Sequence, residues 1–384
     1  MRDCARNLVG KIMIKTITFS SDRNIERARA VWVRCHEADP DASAFMSWEW
    51  MGNWIKHFSG KRELQLAFVE DSDGNPIAMI PTMRESVMLA GITFSNKIQL
   101  LGSDSLACAE HLGFLQKSGQ DGSSIDELLS FLWEQYRGKG YLVFPEMDTA
   151  SRDAERMDVW SRKKGVKIRK KSAGGGWQTS LPDSWDGFLS GLSSNFRQQI
   201  RRSIRKIENS PSLSLQRVTG SDAVTAAAEK LIELNLQRMS SKGVNSCFNN
   251  EQMRSFFVDM SVDMVAAGRA WMDLICSGDT IVATSFHLVD GGTVSYYQGG
   301  FDERFAKLRP MVVLFAKAIQ RAIDSKVGLY DFLGGNEPYK QRWGAMLNPY
   351  LTLSVLPEGS IRNSLIQTFE LYQRAKVAKQ YYFP

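Results

Sequence analysis

Apolar and polar positions along the chain alternate in blocks that mark its elements. Ile25 to His36 reads as a helix, and Ser47 opens a second one in which Trp50, Trp54 and Phe58 recur every four positions, forming one apolar face. Leu64 to Glu70 and Ile77 to Arg84 are β-prone runs joined by the turn formers Asp71 to Pro76, which predicts a hairpin. A third strand near Lys97 to Leu101, a helix from Ser124 to Gly138 and a buried strand, Tyr141 to Phe144, complete this unit.

The second half repeats that order. A helix from Asn250 to Ala267 precedes the strands Ala270 to Cys276, Ile281 to Val289 and Thr293 to Phe301, and a helix from Val312 to Ser325 leads into the strand Leu329 to Leu333. The repetition predicts an α/β (α+β) chain made of a duplicated unit, each copy a mixed, largely antiparallel sheet flanked by helices. Between the halves, Ser161 to Lys171 is strongly basic and Ser172 to Gly176 is small, which predicts a flexible linker. The expected domains are 16–165 and 176–360, with a C-terminal helix over 361–384 whose Leu365, Phe369 and Tyr372 share a face.

A length of 384 residues suits two cores, and 43% hydrophobic residues with 10% aromatic exclude disorder. The net charge of +6 points to an anionic partner without choosing one. Five scattered cysteines without a CxxC pair argue against a disulfide scaffold and a zinc site, so no metal is expected. With neither a signal-peptide pattern nor a membrane-length apolar run, the expected location is the cytoplasm. No GxSxG, Walker loop, GxGxxG or HExxH is present, which removes the usual support for hydrolase, kinase, dehydrogenase and metalloprotease readings.

Two segments concentrate chemistry. From Gln298 to Leu314 a strand end passes through a loop into a helix whose first position is Pro310. The amides of Met311, Val312 and Val313, with Arg309 and Lys307 nearby, suit a phosphate or pyrophosphate. From Tyr330 to Gly344, a strand ends in Gly334 and Gly335 and is followed by Glu337, Tyr339, Lys340 and Arg342. Glu337 is the candidate base, Tyr339 the candidate acid, and Lys340 or Arg342 the anchor for an anionic group. Tyr296, Tyr297 and Gln298 end the neighbouring strand, where by alternation one of the two tyrosines faces inward to line an acyl channel.

The segment Ser194 to Glu208 predicts an amphipathic helix. Phe196, Ile200, Ile204 and Ile207 form an apolar stripe, and Arg197, Arg201 and Arg205 stand four apart beside Arg202 and Lys206. Such a face grips a phosphorylated or lipid-linked saccharide acceptor or nucleic acid, although no helix-turn-helix or zinc-finger pattern supports sequence-specific DNA binding. With the Tyr381-Tyr382-Phe383 end, it also suits peripheral contact with the inner face of an anionic membrane.

These segments, with Phe45 to Trp54, resemble the CelD/BcsL-type acetyltransferases of the GNAT superfamily (the BioF2-like acetyltransferase domain), a family similar to the Fem aminoacyltransferases. The resemblance spans about residues 20–357 and is most specific from Asp331 to Gly344. It implies tandem GNAT-like acyl-CoA N-acyltransferase domains, acetyl-CoA or another acyl-CoA as donor, and a link to polysaccharide or cell-envelope synthesis. It places Asp331, Gly334, Glu337, Tyr339, Lys340 and Trp343 on the C-terminal motif, and Arg197, Arg201 and Arg202 on the basic helix. Met311 departs from the glycine-containing turn usual after the proline. An aminoacyl-tRNA donor of the Fem kind, or a scaffold without chemistry, therefore stays open.

Overall fold

The computed structural model describes residues 13–60, 62–89, 92–104, 106–356, 366 and 368. The expected C-terminal helix over 361–384 lies, but for residues 366 and 368, outside them.

The first half runs β1 (Met13–Thr18), α1 (Asp22–Ala38), α2 (Trp48–Phe58), β2 (Glu63–Glu70), β3 (Pro76–Leu89), β4 (Ile92–Leu100), β5 (Leu115–Gln116), α3 (Ser123–Tyr136), β6 (Gly140–Asp148) and α4 (Arg152–Lys164). The second runs β7 (Ile168–Ser180), α5 (Trp185–Gly191), α6 (Ser194–Glu208), β8 (Leu213–Val218), α7 (Ser221–Ser241), α8 (Glu251–Ala266), β9 (Ala270–Ser277), β10 (Thr280–Val289), β11 (Thr293–Phe301), α9 (Pro310–Asp324), β12 (Leu329–Asp331), α10 (Tyr339–Arg342) and β13 (Met346–Val355).

The repeated order is realised in space. In each half three antiparallel strands, β2-β3-β4 and β9-β10-β11, lead through a helix to a strand parallel to the last of them, β6 beside β4 and β12 beside β11. All the strands join one sheet in the order β1-β2-β3-β4-β6-β13-β7-β12-β11-β10-β9-β8, with β5 on β3. The last strand, β13, returns to lie between β6 and β7, antiparallel to both, and so welds the halves together.

The predicted linker is corrected here. Ser172–Gly176 lies inside β7, a thirteen-residue strand in the middle of the sheet. Its glycines answer a packing need: a Cβ on Gly175 would sit 2.2 Å from the Asn348 carbonyl oxygen, and one on Gly176 would sit 2.1 Å from the Tyr350 hydroxyl. Small residues let backbones and a tyrosine approach closely, and the same composition in a sequence reads as flexibility.

The core explains the tryptophan-rich start. Ser47 caps α2 by accepting from the Trp50 amide, and Trp32, Trp50 and Trp54 are fully buried. Trp50 meets Phe256 of α8 and Tyr297 of β11 edge-on at 5.3 and 5.0 Å, so one core crosses between the halves. On the opposite face of the second half, α6 and α9 pack a separate aromatic cluster of Phe196, Phe315, Tyr330, Phe332 and Trp343. Among the described residues no helix is long and apolar enough to cross a membrane, and no three His, Cys, Asp or Glu side chains are grouped so as to hold a metal ion.

Helix α7 lies on β11 at Gly300, where a Cβ would fall 2.9 Å from Leu234 Cβ and 3.1 Å from the Asn235 amide nitrogen. Backbone cannot yield as a flexible side chain does. Gly300→Ala is therefore expected to lower the unfolding free energy by about 1–3 kcal/mol, the range for overpacking, in urea titrations followed by circular dichroism.

Candidate functional site

The site is built where β11 and β12 part. They pair in parallel for three rungs, Thr293 to Ser295 against Leu329 to Asp331, and then diverge. In β11 the register with β10 slips, His287 facing Tyr296 and Phe286 facing Gln298, so Tyr297 is an extra residue out of the ladder. Such a bulge re-aims side chains. Tyr297 and Gln298 turn towards the α8 side, where the Tyr297 hydroxyl donates to the carbonyl of Ala107 in the loop between β4 and β5 at 2.6 Å and Gln298 reaches Cys247 Sγ, just before α8, at 3.9 Å. Tyr296 and Gly299 face α9.

Beyond Asp331 the chain turns sharply, with Leu333 at φ 58° and Gly335 at φ 94°. Lys340, only 2% exposed, holds the turn by donating to the carbonyls of Leu333 at 3.1 Å and of Gly334, and its ammonium pairs with Glu337 at 3.0 Å. The turn therefore consumes Lys340, while the Glu337 side chain stays more than half exposed.

On the α8 side Asp331 is fully buried and accepts three hydrogen bonds, from the Leu333 amide at 2.6 Å, Gln178 Nε2 at 2.8 Å and His111 Nε2 at 2.8 Å. His111 stands in the loop between β4 and β5, so the pair joins the two halves of the chain. Burial disfavours its charged form, but the hydrogen bond and charge of Asp331 outweigh that and lift its pKa to about 9. Next to it, Glu110 Oε1 accepts from the Gly334 amide at 2.7 Å, while its buried Oε2 has no partner. Burial pushes the Glu110 carboxyl up to about 7 despite that bond. Cys108, His111, Glu146 and Leu333 all adopt left-handed backbone angles, a strain that neighbouring contacts must sustain.

His111 and Asp331 line a cleft of about 340 Å³ walled by Phe45, Gln178, Ser295 and the carboxylates of Asp41, Asp148, Asp153 and Asp290. Its cation other than His111, Arg152, is already engaged, bonding both Asp39 oxygens at 3.0 Å and Asp153 at 3.2 Å. Burial raises Asp153 to about 6 against the pull of Arg152, and raises Asp290 against its bonds to three amides. The cleft is an acidic room with one imidazole in it.

The residues singled out in the sequence are divided between this cleft and the opposite face. Asp331 lines the cleft, and Gly334 lies just beyond it in the chain, its amide donating to Glu110. Tyr339 stacks on Phe315 of α9 at 5.7 Å and 8°, and burial keeps its proton on well above the ordinary tyrosine range. The space between α9 and that segment is thus filled by aromatic side chains. At the start of α9, Arg309 has φ 56° and no side chain caps the helix. The Met311 methyl and the Tyr296 hydroxyl would come within 2.8 and 2.7 Å of a Cβ on Gly299, Val312 is half-buried and Val313 is core.

Trp343 is buried edge-on to Phe196 at 5.0 Å, and Arg342 lies 4.2 Å over the Phe196 ring and bonds Gln199. Arg197 closes the end of α5 by donating to the carbonyls of Leu189, Ser190 and Leu192, and Arg201 reaches Asp186 at 3.8 Å. Sequence reasoning missed His111, Glu110, Gln178 and Tyr350. The adjacent Glu110-His111 pair ahead of Gly113 was the only local signal, and its partner lies 220 residues away.

Residues 194–341 match the profile of the acetyltransferase (GNAT) domain family. No curated protein sequence matches the chain. Among solved structures, FemX superposes with a TM-score of 0.63 at 10% identity, covering 88% of this chain and 98% of that one. A conserved protein of unknown function from Bacteroides thetaiotaomicron gives 0.54 at 12% identity, covering 85% and 95%. The C-terminal domain (DUF2156) of a protein assigned as a lysylphosphatidylglycerol synthetase of Agrobacterium fabrum gives 0.51 at 12%, covering 89% and 94%. At such identities the likeness is one of fold, and the GNAT-domain match covers the second half of that fold, residues 194–341.

Proposed function

We propose that the chain is an acyltransferase in which His111 is the general base, Asp331 orients it, and the acceptor is an amine. The observation that carries this reading is the His111–Asp331 pair at 2.8 Å in a cleft between the halves, beside the bulged strand of a GNAT-type domain. The carboxylate walls favour a cationic amine whose other groups are hydroxyls, as in an amino-bearing saccharide, because carboxylates accept from both. The exposed Arg201, Arg202, Arg205 and Lys206 of α6 lie on the opposite face of the second half, so they are not assigned to an acceptor seated in this cleft.

The donor is an acyl-CoA whose thioester enters the cleft at the parting of β11 and β12; because Phe315 and Tyr339 fill the space between α9 and the Gly334 segment, the first-turn amides of α9 from Met311 to Val313 are not given the diphosphate. The bound ammonium first loses one proton to solvent to free its lone pair, and neutral His111 takes a second proton from the acceptor nitrogen as the N–C bond forms. The C–S bond breaks, and the imidazolium returns the proton to the departing thiolate. Glu337, exposed and paired with Lys340, is given no proton-transfer role. A second donor, aminoacyl-tRNA, is favoured by the exposed basic row of α6 and by Met311 occupying the space over Gly299. Mass spectrometry of the purified protein, with titrations of acetyl-CoA and charged tRNA, separates the donors; binding of neither removes the reading.

Three outcomes are expected for an active preparation. His111→Gln loses turnover by about 10²- to 10⁴-fold, the usual worth of a positioned base, and Glu337→Gln does not. Because the base must be unprotonated and its folded pKa is raised to about 9, log kcat/KM climbs as pH rises from neutrality and levels off near that value. Asp331→Asn removes the charge that raises it and moves the inflection to lower pH. An inflection that stays put in that variant would exclude His111 as the group observed.

A further inference from the structure

Away from the Asp331 cleft, β8 at the sheet edge, with α6 and α9, encloses a groove of about 480 Å³. Its apolar floor is Ile207, Leu213, Leu215 and Leu314, and its polar end holds Arg217, Arg321, Lys317, Asp273 and Glu208. Lys317 is matched by Glu208 at 2.6 Å. Arg217 and Arg321, however, turn to the single carboxylate of Asp273, at 3.1 and 2.9 Å. Their guanidinium carbons lie 4.7 and 5.0 Å from the centre of the Trp271 ring.

Two cations share one anion, so one positive charge is left without its counterpart where both guanidinium side chains are about two-thirds buried. Arg217 Nη2 is buried and has no hydrogen-bond partner. Burial shifts Arg217 down and Asp273 up, each towards its neutral form, as expected where charge is held with little hydration. The volume falls within that of small-molecule sites, which combine an apolar lining with a few converging polar groups.

We propose that this groove binds an amphipathic anion, an apolar chain or ring bearing a carboxylate or phosphate, whose head group completes the Arg217–Arg321 pair and whose body lies on Leu213, Leu215 and Leu314. Planar guanidinium forks suit either head group. None of these residues takes part in the acyl-transfer reading. Helix α9 carries Leu314, Lys317 and Arg321 along the groove.

Calorimetric titration of the full chain with octyl phosphate, octanoate and inorganic phosphate tests this. At least one of the chain-bearing probes is expected to saturate, with inorganic phosphate weaker by about 10-fold or more because it buries no apolar area. Arg321→Met, which removes a charge-assisted bond, and Leu215→Gln, which leaves every charge in place, should each weaken binding by about 10-fold. Thermal melts confirm that the variants are folded, and Leu215→Gln decides the matter where Arg321→Met is not. The tighter of the two chain-bearing probes identifies the head group. No saturation by either in the millimolar range, equal affinity for inorganic phosphate, or unchanged affinity in a folded variant overturns the site, whatever the outcome at His111.

Discussion

A carboxylate taken out of water must be matched by donors, or it costs several kcal/mol and takes up a proton instead. Asp331 meets that demand with the Leu333 amide, Gln178 of β7 and His111 from the first half. Satisfying this one group positions the end of β12, the C-terminal end of β7 and the loop between β4 and β5 at once. The same contacts place an imidazole in an acidic cleft and raise its basicity, so architecture and candidate chemistry depend on the same three bonds.

Close backbone approach supports this arrangement from both sides. Glycines at 175 and 176 let β13 and Tyr350 press against β7, and Tyr350 then brings its hydroxyl to 3.3 Å from His111 Nε2. Gly300 lets α7 sit directly on β11, next to the bulge at Tyr297. On the far side Lys340 binds the carbonyls of the turn after Asp331, and this keeps Leu333 in its left-handed conformation and aims the Gly334 amide at Glu110. A long cation that looks like a ligand anchor in the sequence is thus used up in shaping backbone.

The two faces of the second half divide the labour. Towards α6 and α9 the space is packed with rings, Phe315 on Tyr339 and Trp343 against Phe196, which leaves Tyr339 a structural partner of that helix. Towards α8 the sheet opens into the cleft, and titrating groups collect in it and beside it: burial raises Glu110, Asp153 and Asp290 against their hydrogen bonds and neighbouring cations, whereas Asp331 raises His111 against burial. Perturbed groups converging in a cavity are the physical signature of a functional site.

Much of the local structure was legible in the residues. Period-four aromatics and the Ser47 cap announced α2, turn formers between β-prone runs announced the β2–β3 hairpin, and the repeated order of elements announced a duplicated α/β fold. Asp331 and Gly334 stood out because a strand that ends in glycines has a chemical reason to do so. Periodicity, capping and turn chemistry act over a few residues, so a sequence by itself determines them. Only the tertiary structure decided that Ser172–Gly176 is a central strand, that β13 returns between β6 and β7, and that His111 meets Asp331. Any strand offers the same backbone hydrogen bonds, so the order of strands in a sheet, and the distant side chains it brings together, follows from packing the whole chain.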